Sequence, residues 1–469
     1  MPTRRALMGA PLAAATAAVP AAATAPATAG AGGFPAGFTW GFAAAAAQTE
    51  GDAGSRGRSI WDDFADRPGT IKDGSSPAEG TDFARRFPED LDLAAGRGGA
   101  NAFRFSIAWP RVLPEGGVGA PSAAGLAFYD RLLDAMLARG LEPWPTLYHW
   151  DLPSALQARG GWPERDTAHR FADYAELVGR RFGDRLRHLL ILNEARVHAA
   201  EGYGQGSHAP GLASRGAFFA AAHHLNLGQG LAVRALRAAA PGTALGSAMS
   251  LSPVRPAKPG EEAAAERLDA LDNGMFLDPP FRGGRYPAAV AAEMEPWLRD
   301  GDAAATGERH DLLGVNYYSP SFAEAGGAFG AKDADGPGDL PRTLMGFTVY
   351  PEGLAELLRR MRDEYGDPPV WVTENGASYE DPAPDAAGVI QDPQRRDYLR
   401  DHLLAASRAA AEGCGLRGYF CWTLTDNWEW NRGYTQRFGV VAVDRATGRR
   451  VPKASLDAFG GWARANRVA

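Results

Sequence analysis

The chain has 469 residues, 45% of them apolar and 22% charged, with a formal charge of −7. That balance fits a globular protein with a large core. It gives no reason to expect nucleic acid or an anionic membrane as partner, and no run of about 20 strongly apolar residues reads as a membrane span.

The first residues stand apart. The stretch "MPTRRALMGAPLAAATAAVPAAATAPATAG" pairs Arg4 with Arg5, continues as a weakly apolar Ala-rich run and ends in small residues. That order predicts a twin-arginine export signal over residues 1–29, cleaved near Ala29. A barrel domain over residues 30–469 would then work in the periplasm or outside the cell. If the leader is not a signal, the protein stays in the cytoplasm. Two cysteines, Cys414 and Cys421, make no disulfide framework. Cys421 falls in an apolar, buried-type run, so two free thiols are expected. No zinc-ligand spacing occurs, and no cofactor or metal is implied.

Eight apolar runs read as strands: "FTWGFA" from Phe38, "AFRFSIA" from Ala102, "EPWPTLYHW" from Glu142, "HLLILNE" from His188, "ALGSAMSL" from Ala244, "LLGVNYYS" from Leu312, "PVWVTENG" from Pro369 and "LRGYFCWTL" from Leu416. Helical patterns lie between them. "GLAFYDRLLDAMLARG" carries apolar residues at i, i+3, i+4 spacing and stops at Gly140. Later patterns stop at Gly183, Pro241, Gly366 and Gly413, and the one ending at Gly366 opens on Pro351. Strand then helix, eight times, predicts an α/β fold, a single-domain (β/α)8 TIM barrel. The Gly/Asp-rich stretch from Glu324 to Pro341 is expected to be a long surface loop over the barrel mouth.

Barrel active sites form at the C-terminal ends of the strands. Polar residues gather there. The third run ends in His149, Trp150 and Asp151, and the fourth in Asn193 and Glu194. The sixth carries Asn316, Tyr317 and Tyr318, the seventh ends in Thr373, Glu374 and Asn375, and the eighth runs through Trp422 toward Asp426. A buried strand that finishes on a carboxylate needs a reason. Two glutamates on the fourth and seventh strand ends would face each other across a narrow barrel. A carboxyl pair about 5–5.5 Å apart suits a retaining glycosidase, where one attacks the anomeric carbon and the other shuttles protons. The two then need different surroundings, to hold different pKa values.

The motifs resemble glycoside hydrolase family 1, the β-glucosidase family. "FRFSIAWPRVLPEG", "LYHWDLP", "GYGQGSHAPG", "GVNYYSP", "MGFTVYPEGL", "VTENG" and "DNWEWNRGYTQRFGVVAVD" follow in that family's order, over nearly all of residues 34 to 458. The resemblance implies roles. Glu374 would be the nucleophile and Glu194 the acid/base. Arg104 and Tyr318 would touch the nucleophile and hold it ionised. Asn193 would bind the sugar 2-hydroxyl, and Gln48, His149 and Glu429 the 3-, 4- and 6-hydroxyls. Trp422 and Trp430 would be aromatic platforms, with Trp150, Asn316 and Phe438 at further sugar positions. Phe347 stands where the family usually has Trp, under the leaving group. Glu429, with no lysine nearby, would repel a phosphate and so imply an unphosphorylated sugar.

The fourth strand departs from the family, with Leu189, Ile191 and Ala195 in place of Trp, Thr and Pro. Ala195 replaces the proline that follows the acid/base, which frees φ there. Arg196 sits beside Glu194 in sequence and is expected to point outward into solvent. The stretch "LAAGRGGANAF" is one residue longer than usual before the second strand. The leading expectation is a secreted β-glycosidase acting on terminal β-glucosyl, and also galactosyl or fucosyl, residues of O-glycosides. A transglycosylase would use the same residues. A sugar-binding or sensing protein is the reading from another class, and such proteins usually lose a catalytic carboxylate that this chain retains. The partner is a β-glycoside; the oligomeric state is not readable.

Overall fold

The computed structural model describes residues 32–117 and 119–469. The leader expected over residues 1–29 lies outside them. Eight parallel strands close into a barrel: β1 (Thr39–Ala43), β2 (Ala102–Ser106), β3 (Glu142–Tyr148), β4 (His188–Asn193), β5 (Ala244–Ser250), β6 (Leu312–Asn316), β7 (Val370–Asn375) and β8 (Leu416–Trp422). Each pairs with its chain neighbours, and β1 closes on β8 from Thr39 opposite Gly418 to Ala43 opposite Trp422. All eight apolar runs of the sequence became these strands.

Long helices pack outside. They are α1 (Phe83–Asp92), α2 (Ala123–Leu137), α3 (Arg165–Phe182), α4 (Arg215–Ala239), α5 (Glu352–Tyr365), α6 (Pro393–Ala411) and α7 (Ala454–Ala465). Their ends follow local chemistry. Ser122 caps α2 by accepting from Gly125 N at 3.0 Å. Pro393 opens α6 at its first position, and Gly366 ends α5 at φ 74°, where a side chain would be strained. The connection after β5 departs from the simple alternation. It carries four short helices, Glu262–Asp269, Met275–Phe281, Ala288–Met294 and Asp302–Thr306, because glycines and prolines interrupt the pattern.

Two further sequence expectations change here. The stretch after β6 is not all loop: Ser321–Ala325 and Ala331–Asp333 join Val254–Pro256 in a small three-stranded sheet. The stretch expected to be one residue longer before β2 holds a π-helical turn over Leu93–Arg97, in which Gly98 N donates to Leu93 O at 2.8 Å. A π turn holds one residue more per hydrogen-bonded ring than an α turn, which is a local way to hold a single inserted residue.

The barrel interior is filled from below. Trp144, Leu190, Leu312, Trp371 and Phe420 form its inner cluster, with Trp144 centroids 5.1 Å from Trp371 and 5.2 Å from Phe420. Gly418 makes room for this packing, since a Cβ there would overlap the Trp371 ring and Thr39. A barrel plugged at the N-terminal ends of its strands leaves open space only at the C-terminal ends.

Candidate active site

At that end lies a cavity of about 550 Å³. Glu194 and Glu374 both line it, with His149, Trp150, Asn193, Tyr318, Phe347, Trp422, Glu429, Trp430 and Phe438. Three residues expected at the site stand one layer behind it: Gln48, Arg104 and Asn316 are buried and reach the cavity through hydrogen bonds to its wall.

The two glutamates sit in opposed surroundings. Glu374, in β7, pairs with Arg104 Nη1 at 2.5 Å and accepts from the Tyr318 hydroxyl at 2.7 Å. Arg104 comes from β2 and is itself fixed, donating to Thr373 O at 3.0 Å and to Asn193 Oδ1 at 2.6 Å. Each of these donors stabilises the ionised carboxylate. Glu194 has no directly bonded cation. Asn316 Nδ2 donates to its Oε1 at 2.8 Å. Burial, then the charge of Glu374, push its pKa up to about 8 against that amide. Burial outweighs the neighbouring carboxylate as the cause. Glu194 is therefore mostly protonated at neutral pH, while its neighbour carries the cation.

Backbone geometry holds the acid in place without the missing proline. Glu194 has φ 43° and ψ 50°, the left-handed region, and its N–H donates to Ala248 O at 2.8 Å. Trp150 Nε1 fixes the preceding carbonyl, Asn193 O, at 2.9 Å. Trp150 and Trp430 also have positive φ, 72° and 50°. Three non-glycine residues of one cavity in that region mark a site whose surroundings over-determine its backbone.

The other polar groups are tied into one net. Asn193 Nδ2 bonds His149 Nε2 at 2.9 Å, which leaves the imidazole proton on Nδ1. Burial and then Arg104 hold His149 well below its usual pKa, so it is neutral. Its Nδ1 has no protein partner, and neither has Gln48 Oε1. Gln48 Nε2 donates to Glu429 Oε2 at 3.2 Å and to Asn427 Oδ1 at 3.1 Å. A buried donor and a buried acceptor without partners suit a polyhydroxylated ligand. Trp150 and Trp430, 4.6 Å apart, supply aromatic surface beside them.

Two expectations about charge are corrected. Arg196 does not point into solvent. It lines the cavity, and its Nε donates to Asp272 Oδ1 at 2.9 Å. Asp272, drawn from the segment after β5, pulls the guanidinium in, since a half-buried cation gains from a carboxylate partner. Glu429 is no permanent anion either. Burial, then Glu374 and Glu194, raise it to about 8. A protonated Glu429 does not repel a phosphate, and Arg432 lines the cavity nearby. The expectation of an unphosphorylated sugar then rests on the resemblance, not on charge.

The outer wall was not read from sequence. It includes Glu201, His208, Asp333, Arg342 and Arg432. His208 lies in "GYGQGSHAPG", whose position after β4 was the one available signal. Cys414 and Cys421 are both free and buried, as expected.

A parallel eight-stranded barrel with two unequal carboxyls at its open end is the architecture of a glycoside hydrolase. The chain matches the profile of Glycosyl hydrolase family 1 over residues 31–467. It is 44% identical to Thermostable beta-glucosidase B of Thermobispora bispora over 421 residues, 88% of this chain and 87% of that one. It is 42% identical to the Bifunctional beta-D-glucosidase/beta-D-fucosidase of Bifidobacterium breve, covering 88% and 95%. It superposes on the family 1 β-glucosidase structure from Thermotoga maritima with a TM-score of 0.89 and 37% identity, covering 93% of this chain and all of that one. The protein belongs to glycosyl hydrolase family 1 and is a glycoside hydrolase.

Proposed function

We propose that the protein hydrolyses terminal β-D-glucosyl and β-D-fucosyl residues from O-glycosides by double displacement. The observation that carries the reading is the contrast between the two glutamates of one cavity. Glu374, held by Arg104 and Tyr318, attacks the anomeric carbon and forms the glycosyl ester. Glu194, protonated by burial, gives its proton to the leaving oxygen and then takes one from water. Both states are needed in one site, and the two environments supply them. Asn193 receives the 2-hydroxyl. His149 Nδ1 donates to, and Gln48 Oε1 and Glu429 accept from, the hydroxyls at the far end of the ring. Trp422 and Trp430 take its C–H faces, with Trp150, Asn316 and Phe438 supporting them. The names of the relatives support the glucosyl and fucosyl specificity.

The leader is read as an export signal, supported by Arg4, Arg5 and the small-residue ending near Ala29. N-terminal sequencing of protein recovered from a host with a twin-arginine pathway tests it, with uncut cytoplasmic protein as the contrary result.

The reaction is tested by proton NMR of an aryl β-glucoside during turnover. Early β-glucose is expected before mutarotation. Early α-glucose would mean inversion and overturn the roles given to Glu374 and Glu194.

A further inference from the structure

A second cavity, of about 410 Å³, lies behind the glycone end of the first. Its size falls in the range of about 300–1,000 Å³ usual for small-ligand sites. It is walled by the segment after β8, by the connection between β7 and α6, and by residues from the β1–α1 connection. Asp381, Asp426, Asn427, Gln436 and Ala442 line it. Gln436 is 6% exposed, and its Oε1 has no partner. A buried acceptor left open is unfavourable unless a donor arrives.

The chemistry of the floor selects the ligand. Asp381 and Asp426 present carboxylate oxygens, yet two buried cations stand behind them. Lys453 Nζ lies 2.6 Å from Asp381 and 3.0 Å from Asp426, and Arg395 Nη1 lies 3.1 Å from Asp381. A cation seated against these carboxylates would meet Lys453 and Arg395. An anion would meet the carboxylates. A neutral molecule rich in hydroxyl donors meets neither penalty and satisfies Gln436 Oε1, since each carboxylate has lone pairs to spare.

The cavity also has a wire to the first one. Asn427 lines it, and Asn427 Oδ1 accepts from Gln48 Nε2, the atom that also donates to Glu429. We infer that this cavity is a second carbohydrate site, taking a neutral monosaccharide, and that its occupant is felt at Glu429 through Asn427 and Gln48. The binding stands on the cavity alone; the coupling rests on the sugar-binding role proposed for Glu429.

Equilibrium dialysis of labelled D-glucose against the parent protein, Ala442→Trp and Gln436→Met tests it. Ala442→Trp plugs the cavity, and Gln436→Met removes the open acceptor at similar volume. Two equivalents are expected on the parent and one on Ala442→Trp, with the second site weakened about tenfold in Gln436→Met. Should Ala442→Trp fail to fold, Gln436→Met decides. No binding on the parent overturns the inference, as does a variant that folds and binds as many equivalents as the parent with unchanged affinity; one equivalent on the parent that Ala442→Trp abolishes would overturn the active-site reading instead. The dialysis needs no turnover, so it separates this site from the proposed reaction. The coupling is read as a dependence of KM for an aryl glucoside on glucose beyond simple competition at the active site, present in the parent and reduced to simple competition in Ala442→Trp.

Discussion

The Asn316 amide donates to Glu194 Oε1 at 2.8 Å, while Thr373 Oγ1 holds the other end of the same side chain, Oδ1, at 2.7 Å. Asn316 therefore cannot turn away. A donor to a carboxylate favours its charged form, so this bond works against the protonated form that the role proposed for Glu194 requires. Burial and Glu374 win, since the net result is about 8. The bond orients the acid more than it tunes it. Asn316→Ala should lower kcat/KM about 10–100-fold, the span of one to two bonds to a charged or charging group. It should also move the basic limb of the pH profile upward, because a group favouring the charged form is gone. A rate loss with an unmoved limb would mean that Asn316 serves packing alone.

The pH dependence follows from the same value. In the role proposed for it Glu194 must be protonated to act, so kcat/KM should fall as pH rises through about 8. Glu429 titrates near the same pH, and its charge disfavours a second one on Glu194. Glu429→Gln removes that repulsion above pH 8. Its basic limb should be simpler and lie lower than the parent's, with a raised KM from the lost hydroxyl contact. Initial rates at low substrate across pH 5–10 would show this, and an identical limb in both proteins would contradict it.

Tyr318 offers a cleaner deletion. Its hydroxyl gives one hydrogen bond, to Glu374 Oε2 at 2.7 Å. Bonds to charged groups contribute about 1.5–3 kcal/mol. Tyr318→Phe should lower kcat about 10–100-fold with little change in melting temperature, since the ring still packs 5.7 Å from Phe347. Stopped assays with calorimetry beside them would separate the two effects. A large drop in melting temperature would assign the hydroxyl to folding instead.

Much of this site was legible because barrel strands are buried on both faces. Their apolar runs stand out, and a polar residue at the end of one needs a partner. Glu194, Glu374, Asn193 and Tyr318 could be placed that way, from position alone. Arg196 could not. Its direction is set by Asp272, far along the chain on a different element, and sequence adjacency to Glu194 says nothing of that. The strand Ser321–Ala325 hid at the start of a Gly/Asp-rich stretch, because five mostly half-buried residues between two three-residue strands carry little pattern of their own. The raised pKa of Glu429 was hidden for another reason: a carboxylate in a list of residues carries no record of its burial.

Arg196 yields a test with two signs. Its charge favours the ionised form of Glu194, and Asp272 offsets part of that charge. Arg196→Leu should raise the basic limb. Asp272→Asn should lower it, because the guanidinium then acts on Glu194 unopposed. Asp272 itself is raised by burial to about 6, so the parent's limb near 8 is measured with Asp272 ionised. If both variants shift the limb the same way, the effect is a change of shape at the cavity wall rather than of charge.

Phe347 lines the outer part of the cavity, half-buried, with its ring tilted 43° to that of Tyr318. In the proposed function it faces the leaving group, and Asn193 and His149 hold the sugar. An indole there adds aromatic area without touching either glutamate. Phe347→Trp should therefore change the ranking of aryl glucosides against disaccharides several-fold, through KM, because stacking on the leaving group acts alike in the ground and transition states. The ratio of glucoside to fucoside turnover with one common aglycone should stay within about twofold, since that ratio reports the glycone end. Measuring both ratios on the same preparations removes errors in active-site concentration. An aryl-to-disaccharide ranking that stays put would take Phe347 out of aglycone recognition. A shifted glucoside-to-fucoside ratio would show instead that the two ends of the cavity are coupled through Tyr318.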